Sequence, residues 1–332
     1  MAPDRHAASS EQPPRPAPPD GTTTVACPDE PVGGKSSAAA APVLGDDCWI
    51  LSGPTASGKT ALSVPLALRL DAEIVSVDSM AVYRGLDIGT AKPTSEQRAA
   101  VPHHLVDVVD PGESYSVARW LADAAAAVAA IRGRGRRILF VGGTPLYLRA
   151  LKDGLDPRPG GDAAVRRRLH AAAEREGAAS LHDRLAALDP PAASRIHPHD
   201  LRRIVRALEV VETAGEPPAR SWQASRTEHP TFTHRMMVVD VPRRLLRDRI
   251  DRRVEAMFAA GLVAETRIAL ARPGGIGPTA SQAAGYAEAV EVLAGSRTEQ
   301  DAVRRTQERT RQLAKRQITW LRSFKSAVWI GA

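Results

Sequence analysis

The sequence predicts an α/β fold, a doubly wound parallel sheet, on three observations. The apolar run Cys48-Trp49-Ile50-Leu51 leads into a glycine-rich loop that opens a helical pattern; strand-like and helix-like segments then alternate as far as residue 142; and one more strand pattern returns near residues 236–241 after a long helical stretch.

The first strand falls at 48–52, and the loop after it reads Gly53-Pro54-Thr55-Ala56-Ser57-Gly58-Lys59-Thr60. This is the spacing of a phosphate-binding P-loop in the context that confirms it, between a strand and a helix at 58–70. Glycines let backbone N–H groups turn inward around an anion, and the helix N-terminus adds partial positive charge. Lys59 brings a full charge and Thr60 offers a hydroxyl to Mg²⁺. A diphosphate or triphosphate compound is the expected ligand.

A P-loop that hydrolyses ATP is normally paired with an acid at the end of a second apolar strand. The strand at 137–142 runs into Gly142-Gly143-Thr144 with no carboxylate. The strand at 73–78 does end in one, Asp78, at the carboxyl edge where open α/β sheets place their ligands. Asp78 is thus suited to face a second substrate across the phosphates; on the residues alone it fits the cap of a following helix equally well. A strand at 104–109 and a helix at 116–132 complete this first part of the core, residues 47–156.

From about Pro157 the text turns to helical segments rich in Arg and Ala, with Arg166-Arg167-Arg168 and the pair Leu181 and Leu185, so residues 157–234 read as a helical insertion domain. The strand near 236–241 returns the chain to the core, and helices follow at 243–260, 262–271, 281–293 and 298–325, making 235–332 the second part of the core with basic C-terminal helices. On a helical wheel of the last of these, Arg305, Arg309 and Arg316 fall on one side and Val303, Ala314, Ile318 and Leu321 on the other. Nine Lys or Arg against three acids between 297 and 325 favour contact with a phosphate backbone over a plain solvated face.

Composition sets outer bounds. The 332 residues, 43% of them hydrophobic, suffice for two domains, and a formal charge of +7 suits a polyanionic partner. Cys27 and Cys48 make no disulfide framework, no apolar run is long enough to cross a membrane, and no signal-peptide pattern opens the chain, so a cytoplasmic protein is expected. Residues 1–46 hold nine prolines in the first 42 positions and hardly any apolar period, the composition of a disordered extension. His103-His104 and His197-Pro198-His199 lack partners at metal-ligand spacing.

Several stretches occur in the order seen in one family: Gly53 to Thr60, Asp78 to Pro93, Pro102 to Asp107, Tyr115 to Ala118, Gly142-Gly143-Thr144, Asp200 to Glu209, and Ala314-Lys315-Arg316-Gln317-Ile318-Thr319-Trp320. Over about residues 48–326 the chain resembles the tRNA dimethylallyltransferases. That resemblance implies a P-loop NTPase-like core whose loop grips the diphosphate of dimethylallyl diphosphate rather than ATP, which accounts for the missing second carboxylate. It implies prenyl transfer to N6 of adenosine 37, beside the anticodon, in tRNAs reading codons that start with U, with Mg²⁺ as cofactor and the protein acting as a monomer on the anticodon stem-loop.

By the same resemblance Asp78 is the base, with Lys59, Thr144 and Arg253 as further catalytic residues, Arg253 chosen from a run that also holds Arg249 and Arg252. Thr55 and Thr144 stand beside the diphosphate and the target nucleotide. Asp78, Ser79, Met80, Ala81, Thr144, the segment Arg202-Arg203-Ile204-Val205-Arg206, Lys315 and Arg316 are the expected tRNA contacts. Taken without the family, Gly142-Gly143-Thr144 also reads as a tight turn and Arg253 as a surface ion-pair residue. Three positions depart from the family pattern: Ala81 stands for a common Gln, Pro145 for Gly, and His199 for Asn. Pro145 fits the first turn of a helix, where its missing donor is not needed.

Other readings of the same residues are an adenylate isopentenyltransferase acting on free nucleotides, a P-loop small-molecule kinase, and a non-enzymatic RNA-binding protein. The helical insertion and basic last helix argue against the first, the absent acid on strand 137–142 against the second, and intact Lys59, Thr60 and Asp78 against the third.

Overall fold

The computed structural model describes residues 43–155, 162–214 and 235–331. The expected extension therefore lies outside the described residues up to position 42, as do Cys27 and parts of the insertion, 156–161 and 215–234. Leu44 is buried in the main core, so the folded chain reaches back beyond the boundary expected at residue 47.

Six parallel strands form one sheet in the order β3-β2-β4-β1-β5-β6. They are β1 (Cys48–Ser52), β2 (Ala72–Ser76), β3 (His103–His104), β4 (Arg137–Val141), β5 (Met236–Asp240) and β6 (Val328–Gly331). β1, β2 and β4 read as nearly continuous apolar runs because parallel strands are covered on both faces. The buried acid of β2, Glu73, is held by Arg134 and by His104, the latter at 2.6 Å. Right-handed crossovers carry α1 (Lys59–Leu70) and α3 (Val117–Gly133) to opposite faces, since β1 to β2 steps one way across the sheet and β3 to β4 the other.

Two strands depart from expectation. The strand foreseen at 104–109 shrinks to His103–His104, because Leu105 and Asp107 take left-handed φ of 61° and 59° that no strand tolerates. Val109 keeps a single bridge, to Tyr83. The closing strand β6 and the short helix α2 (Ser95–Ala100) were not among the expected elements, although Thr94 and Gln97 make the capping box that starts α2.

Gly142-Gly143-Thr144 leads into α4 (Pro145–Asp153), with Pro145 at its first turn as expected. Trp120 of α3, fully buried, stacks on Tyr147 of α4 at 4.4 Å and donates its indole N–H to the Ser76 carbonyl, which ties the end of β2 to both helices.

The described part of the insertion is helical: α5 (Ala163–Leu188), broken at Gly177 by φ 85° and ψ 159°, α6 (Pro190–Ala193) and α7 (Leu201–Ala214). These helices enclose a second core around Leu169, Leu181, Leu185, Ile204 and Leu208. After β5 come α8 (Arg243–Ala259), α9 (Leu262–Leu270), a single 3₁₀ turn at Ala280–Gln282, α10 (Tyr286–Leu293) and α11 (Glu299–Leu321). The buried stripe of α11 is Ala302, Thr306, Thr310, Ala314, Gln317 and Leu321, while Val303 and Ile318 are only half-buried. Only Leu321 of the six carries a long apolar side chain, and Thr306, Thr310 and Gln317 border a cavity.

Candidate active site

The order β2-β4-β1 sets three loops side by side at the carboxyl edge of the sheet: the residues after Ser76, after Val141 and after Ser52. Connections from β1 and β4 leave in opposite directions, so the crevice lies where such sheets bind ligands.

Two backbone requirements hold that edge open. Gly58 caps α1 at φ 94°, a conformation costly for any residue with a Cβ, and leaves the helix N-terminus bare. At Gly142 a Cβ would come within 2.2 Å of the Val77 carbonyl, so the double glycine is a close crossing of two chain segments rather than a simple turn.

Lys59 donates to the Pro54 carbonyl at 2.8 Å. Burial pushes its ammonium down to about 8, with Arg253 adding in the same direction and Asp78 opposing. The residue as a whole keeps some exposed surface, so the charged end is the enclosed part. Burial also lowers Arg253, again against the pull of Asp78. Two partly desolvated cations thus share one carboxylate, an arrangement that favours the binding of an anion.

Asp78 lies two residues beyond β2. Its Oδ1 accepts the N–H groups of Met80 at 2.8 Å and Ala81 at 3.3 Å. No helix follows until Ser95, so the capping alternative does not apply; the bonds make an Asx turn that fixes the carboxylate and leaves Oδ2 without a hydrogen bond among the described residues. Thr144 Oγ1 accepts the Ser79 N–H at 3.1 Å, which locks this turn to the loop after β4.

Asp78 stands at the meeting of two cavities of ≈ 420 and ≈ 100 Å³, which share Thr55, Asp78, Thr90, Gly143, Arg253 and Gln317. The smaller one holds Lys59 and Thr60; the larger runs out past Met80, Thr144, Pro145 and Arg316. Of the three candidate arginines, Arg253 alone lines both, whereas Arg249 braces the P-loop at the Ser57 carbonyl and Arg252 bonds back to Asp248 on its own helix.

Not every expected contact is brought to this site. Ile204 and Val205 are buried in the second core and cannot be surface contacts, because α7 turns that face toward α5. Arg202, Arg203 and Arg206 lie on the exposed side of α7, Arg203 paired with Asp200 and Arg206 with the buried Glu209. Ala81 is buried as well, its amide taken by Asp78. Arg316 reaches the larger cavity, and Lys315 is exposed outside both. On the basic side of α11, Arg309 is held by the buried Glu288 at 2.6 Å and Arg305 lies 3.9 Å from the same carboxylate.

One residue central to the geometry was missed by a reading that weighed charges: Gln317 bonds both the P-loop and the double glycine. The signal was its place in the Ala314 to Trp320 motif, on the flank of α11 between the arginines and the apolar stripe.

With this geometry in place, comparison with known proteins is specific. The family model described as IPP transferase matches residues 81–324, and one described as isopentenyl transferase matches 47–102. A tRNA dimethylallyltransferase of Anaeromyxobacter dehalogenans is 51% identical over 85% of this chain and 93% of its own length, and one of Geobacter metallireducens is 47% identical over 85% and 91%. Among solved structures, the tRNA isopentenylpyrophosphate transferase of Bacillus halodurans is 39% identical with a TM-score of 0.61, covering 86% of this chain and 89% of that one. A eukaryotic dimethylallyltransferase acting on tRNA is 26% identical with a TM-score of 0.72, covering 85% and 73%. The chain belongs to the IPP transferase family, the tRNA dimethylallyltransferases.

Proposed function

We propose that this protein transfers a dimethylallyl group from dimethylallyl diphosphate to N6 of adenosine 37 in the anticodon stem-loop of tRNAs that read codons starting with U. The products are N6-dimethylallyladenosine and diphosphate. One observation carries the reading: Asp78 sits where a small cavity bearing Lys59 and Thr60 meets a larger, open one. Donor and acceptor approach the same carboxylate from opposite sides.

The chemistry follows from the parts. The N6 amine of adenine is a weak nucleophile because its lone pair is delocalised into the ring. As N6 forms its bond to C1 of the prenyl group, the C1–O bond breaks and its electron pair leaves with the diphosphate. Asp78 takes the proton that N6 loses. The P-loop amides, Lys59 and Arg253 are aimed at the charge that develops on the departing oxygen. Thr144, through the Ser79 amide, keeps the carboxylate turn in place.

Mg²⁺ fits the residues at hand. Thr60 offers a hard oxygen donor in the small cavity, and among the described residues no group of three or more His, Cys, Asp or Glu forms a cage. That matches an ion that takes most of its ligands from phosphate and water. When bound it would neutralise charge on the diphosphate.

The target base must leave its stack to reach a pocket at a sheet edge, and a single-stranded loop makes that inexpensive. Arg316 at the mouth and the exposed arginines of α7 suit the flanking phosphates. The protein acts as a monomer in this reading, since Asp78, Lys59, Arg253 and Gln317 all come from one chain. Among the described residues no helix is long and apolar enough to cross a membrane.

Incubation with Mg²⁺, dimethylallyl diphosphate and unmodified tRNA, followed by nuclease digestion and mass spectrometry, should yield one prenylated adenosine beside the anticodon. Retention of ATP but not of prenyl diphosphate, or equal prenylation of free adenine nucleotides, would overturn the proposal.

A further inference from the structure

The far wall of the larger cavity holds three buried polar atoms that the reaction above does not use. Glu288 is 1% exposed, Thr306 1% and Thr310 5%. All three line the cavity, and among the described residues Glu288 Oε2, Thr306 Oγ1 and Thr310 Oγ1 have no hydrogen-bond partner. Thr306 and Thr310 stand one turn apart on the inner face of α11, and Glu288 comes from the first turn of α10. Buried polar groups are ordinarily satisfied, and three open ones bordering one cavity mark a place where a polar ligand belongs.

The chemistry of the set narrows the ligand. Glu288 Oε1 already accepts Arg309 at 2.6 Å, so Oε2 offers a fixed acceptor beside a satisfied ion pair. The two hydroxyls can donate or accept. A phosphate does not suit the set, since Oε2 is an acceptor that calls for a donor and a phosphate oxygen brings none. What fits is a neutral group with an N–H donor and ring acceptors side by side, the edge of a nucleobase. Met80, Met257 and Leu313 line the same cavity and offer apolar surface to a base face. The target adenine does not fill this role: its N6 is placed at Asp78, by Gln317 at the cavity junction, whereas Thr310 and Thr306 stand about 10 and 16 Å back along α11 from Gln317.

We propose that Glu288, Thr306 and Thr310 form a subsite that reads the base edge of a nucleotide adjacent to the target adenosine. The subsite rests on the proposed RNA acceptor. Its role is specificity: a flanking base that satisfies the three atoms binds, and one that leaves them open does not.

The test uses the full-length protein and synthetic RNA hairpins of the anticodon stem-loop type. Because the hydroxyls lack partners in the free protein, the double variant T306V/T310V should unfold at the same temperature as wild type or above it. It should raise KM for the RNA about tenfold and leave KM for the prenyl diphosphate unchanged. Glu288→Gln, which keeps the volume and replaces the carboxylate, should raise the RNA KM in the same way.

The discriminating arm pairs each variant with altered hairpins. The penalty should disappear when one base flanking the target is replaced by an abasic residue, and persist when the same nucleotide is only 2′-deoxy. Three results overturn the subsite: a wild-type KM in the variants, a penalty equal on all hairpins, or a penalty lost with the 2′-deoxy substitution, which assigns the contact to the ribose. A wild-type protein that prenylates no hairpin or tRNA would instead sink the proposed function, and the subsite with it.

Discussion

Gln317 and Thr55 are joined by a hydrogen bond from the Thr55 N–H to Gln317 Oε1 at 2.8 Å, which ties the P-loop to a helix 262 positions further along the chain. The same amide donates through Nε2 to the Gly143 carbonyl at 2.9 Å. Its orientation is fixed by these two partners, one a donor and the other an acceptor. The side chain is 92% buried by its residual exposure of 8%, so neither bond is easily replaced by water. The phosphate loop and the loop after β4 therefore keep their spacing through a side chain on α11.

Gln317→Leu removes both bonds and strands two backbone groups in a partly buried crevice, which costs about 1–3 kcal/mol of stability. Gln317→Glu keeps the acceptor for Thr55 but sets a carboxylate oxygen against the Gly143 carbonyl, and should be worse. The expected order in kcat/KM for the prenyl donor is wild type, then Leu, then Glu, read alongside urea midpoints. A Glu variant as active as wild type would count against the bridge.

Asp78 has two duties that one substitution separates. Asparagine keeps an oxygen for the amides of Met80 and Ala81, so the turn survives, yet it cannot take a proton at neutral pH. Asp78→Asn should lower kcat by about 10²–10⁴-fold with KM for tRNA near wild type. Asp78→Ala loses both duties: product should be abolished, with tRNA retention on a filter largely intact. Wild-type turnover in either variant would remove the base assignment.

These residues mark how far the sequence could be read. The P-loop was legible because its function is local: glycine spacing, a helix start and a lysine all lie within eight positions, Gly53 to Thr60. Asp78 was legible as the end of an apolar run, although the strand stops at Ser76 and the carboxylate is placed by its own turn. Strand order was not legible, because the neighbours β2 and β4 are joined by pairing across 60 residues rather than by any local signal. The same limit hid Gln317, Glu288 and Thr310, whose meaning comes from which face of a helix meets a cavity. Ile204 and Val205 show the converse: a contiguous stretch shares one motif, but a helix sends its residues to opposite faces.

Lys59 sets a pH dependence for donor binding. In the free protein burial holds its ammonium at about 8, well below the 10.5 of an exposed lysine. A bound diphosphate favours the charged form and raises that value, so binding takes up a proton once the pH passes about 8. Donor affinity should be flat below that point and fall by up to tenfold per pH unit above it. Calorimetry at pH 9 in buffers of different ionisation enthalpy should show the proton uptake, and Lys59→Arg should flatten the profile. An affinity that rises between pH 8 and 9 would contradict the assignment.

The loop that carries Thr90 to the junction of both cavities is clamped from behind. Glu265 on α9 accepts the amides of Asp87 at 3.0 Å and Ile88 at 3.1 Å, and takes the Tyr286 hydroxyl at 2.5 Å. Tyr286 in turn accepts the Gly89 N–H at 3.2 Å, and burial together with Glu265 pushes its own ionisation far up, so it stays a donor at any working pH. Tyr286→Phe removes that donor and leaves the Gly89 amide unpaired in a buried setting, at a cost of about 1–3 kcal/mol. Hydrogen exchange at Gly89 should quicken well beyond that at Val75 in the core of β2, because the loss is local to the clamp. Gly89 and Thr90 line the larger cavity, so KM for tRNA should rise more than KM for the prenyl donor. A uniform rise in exchange across the sheet would mean that Tyr286 supports the whole fold rather than this loop.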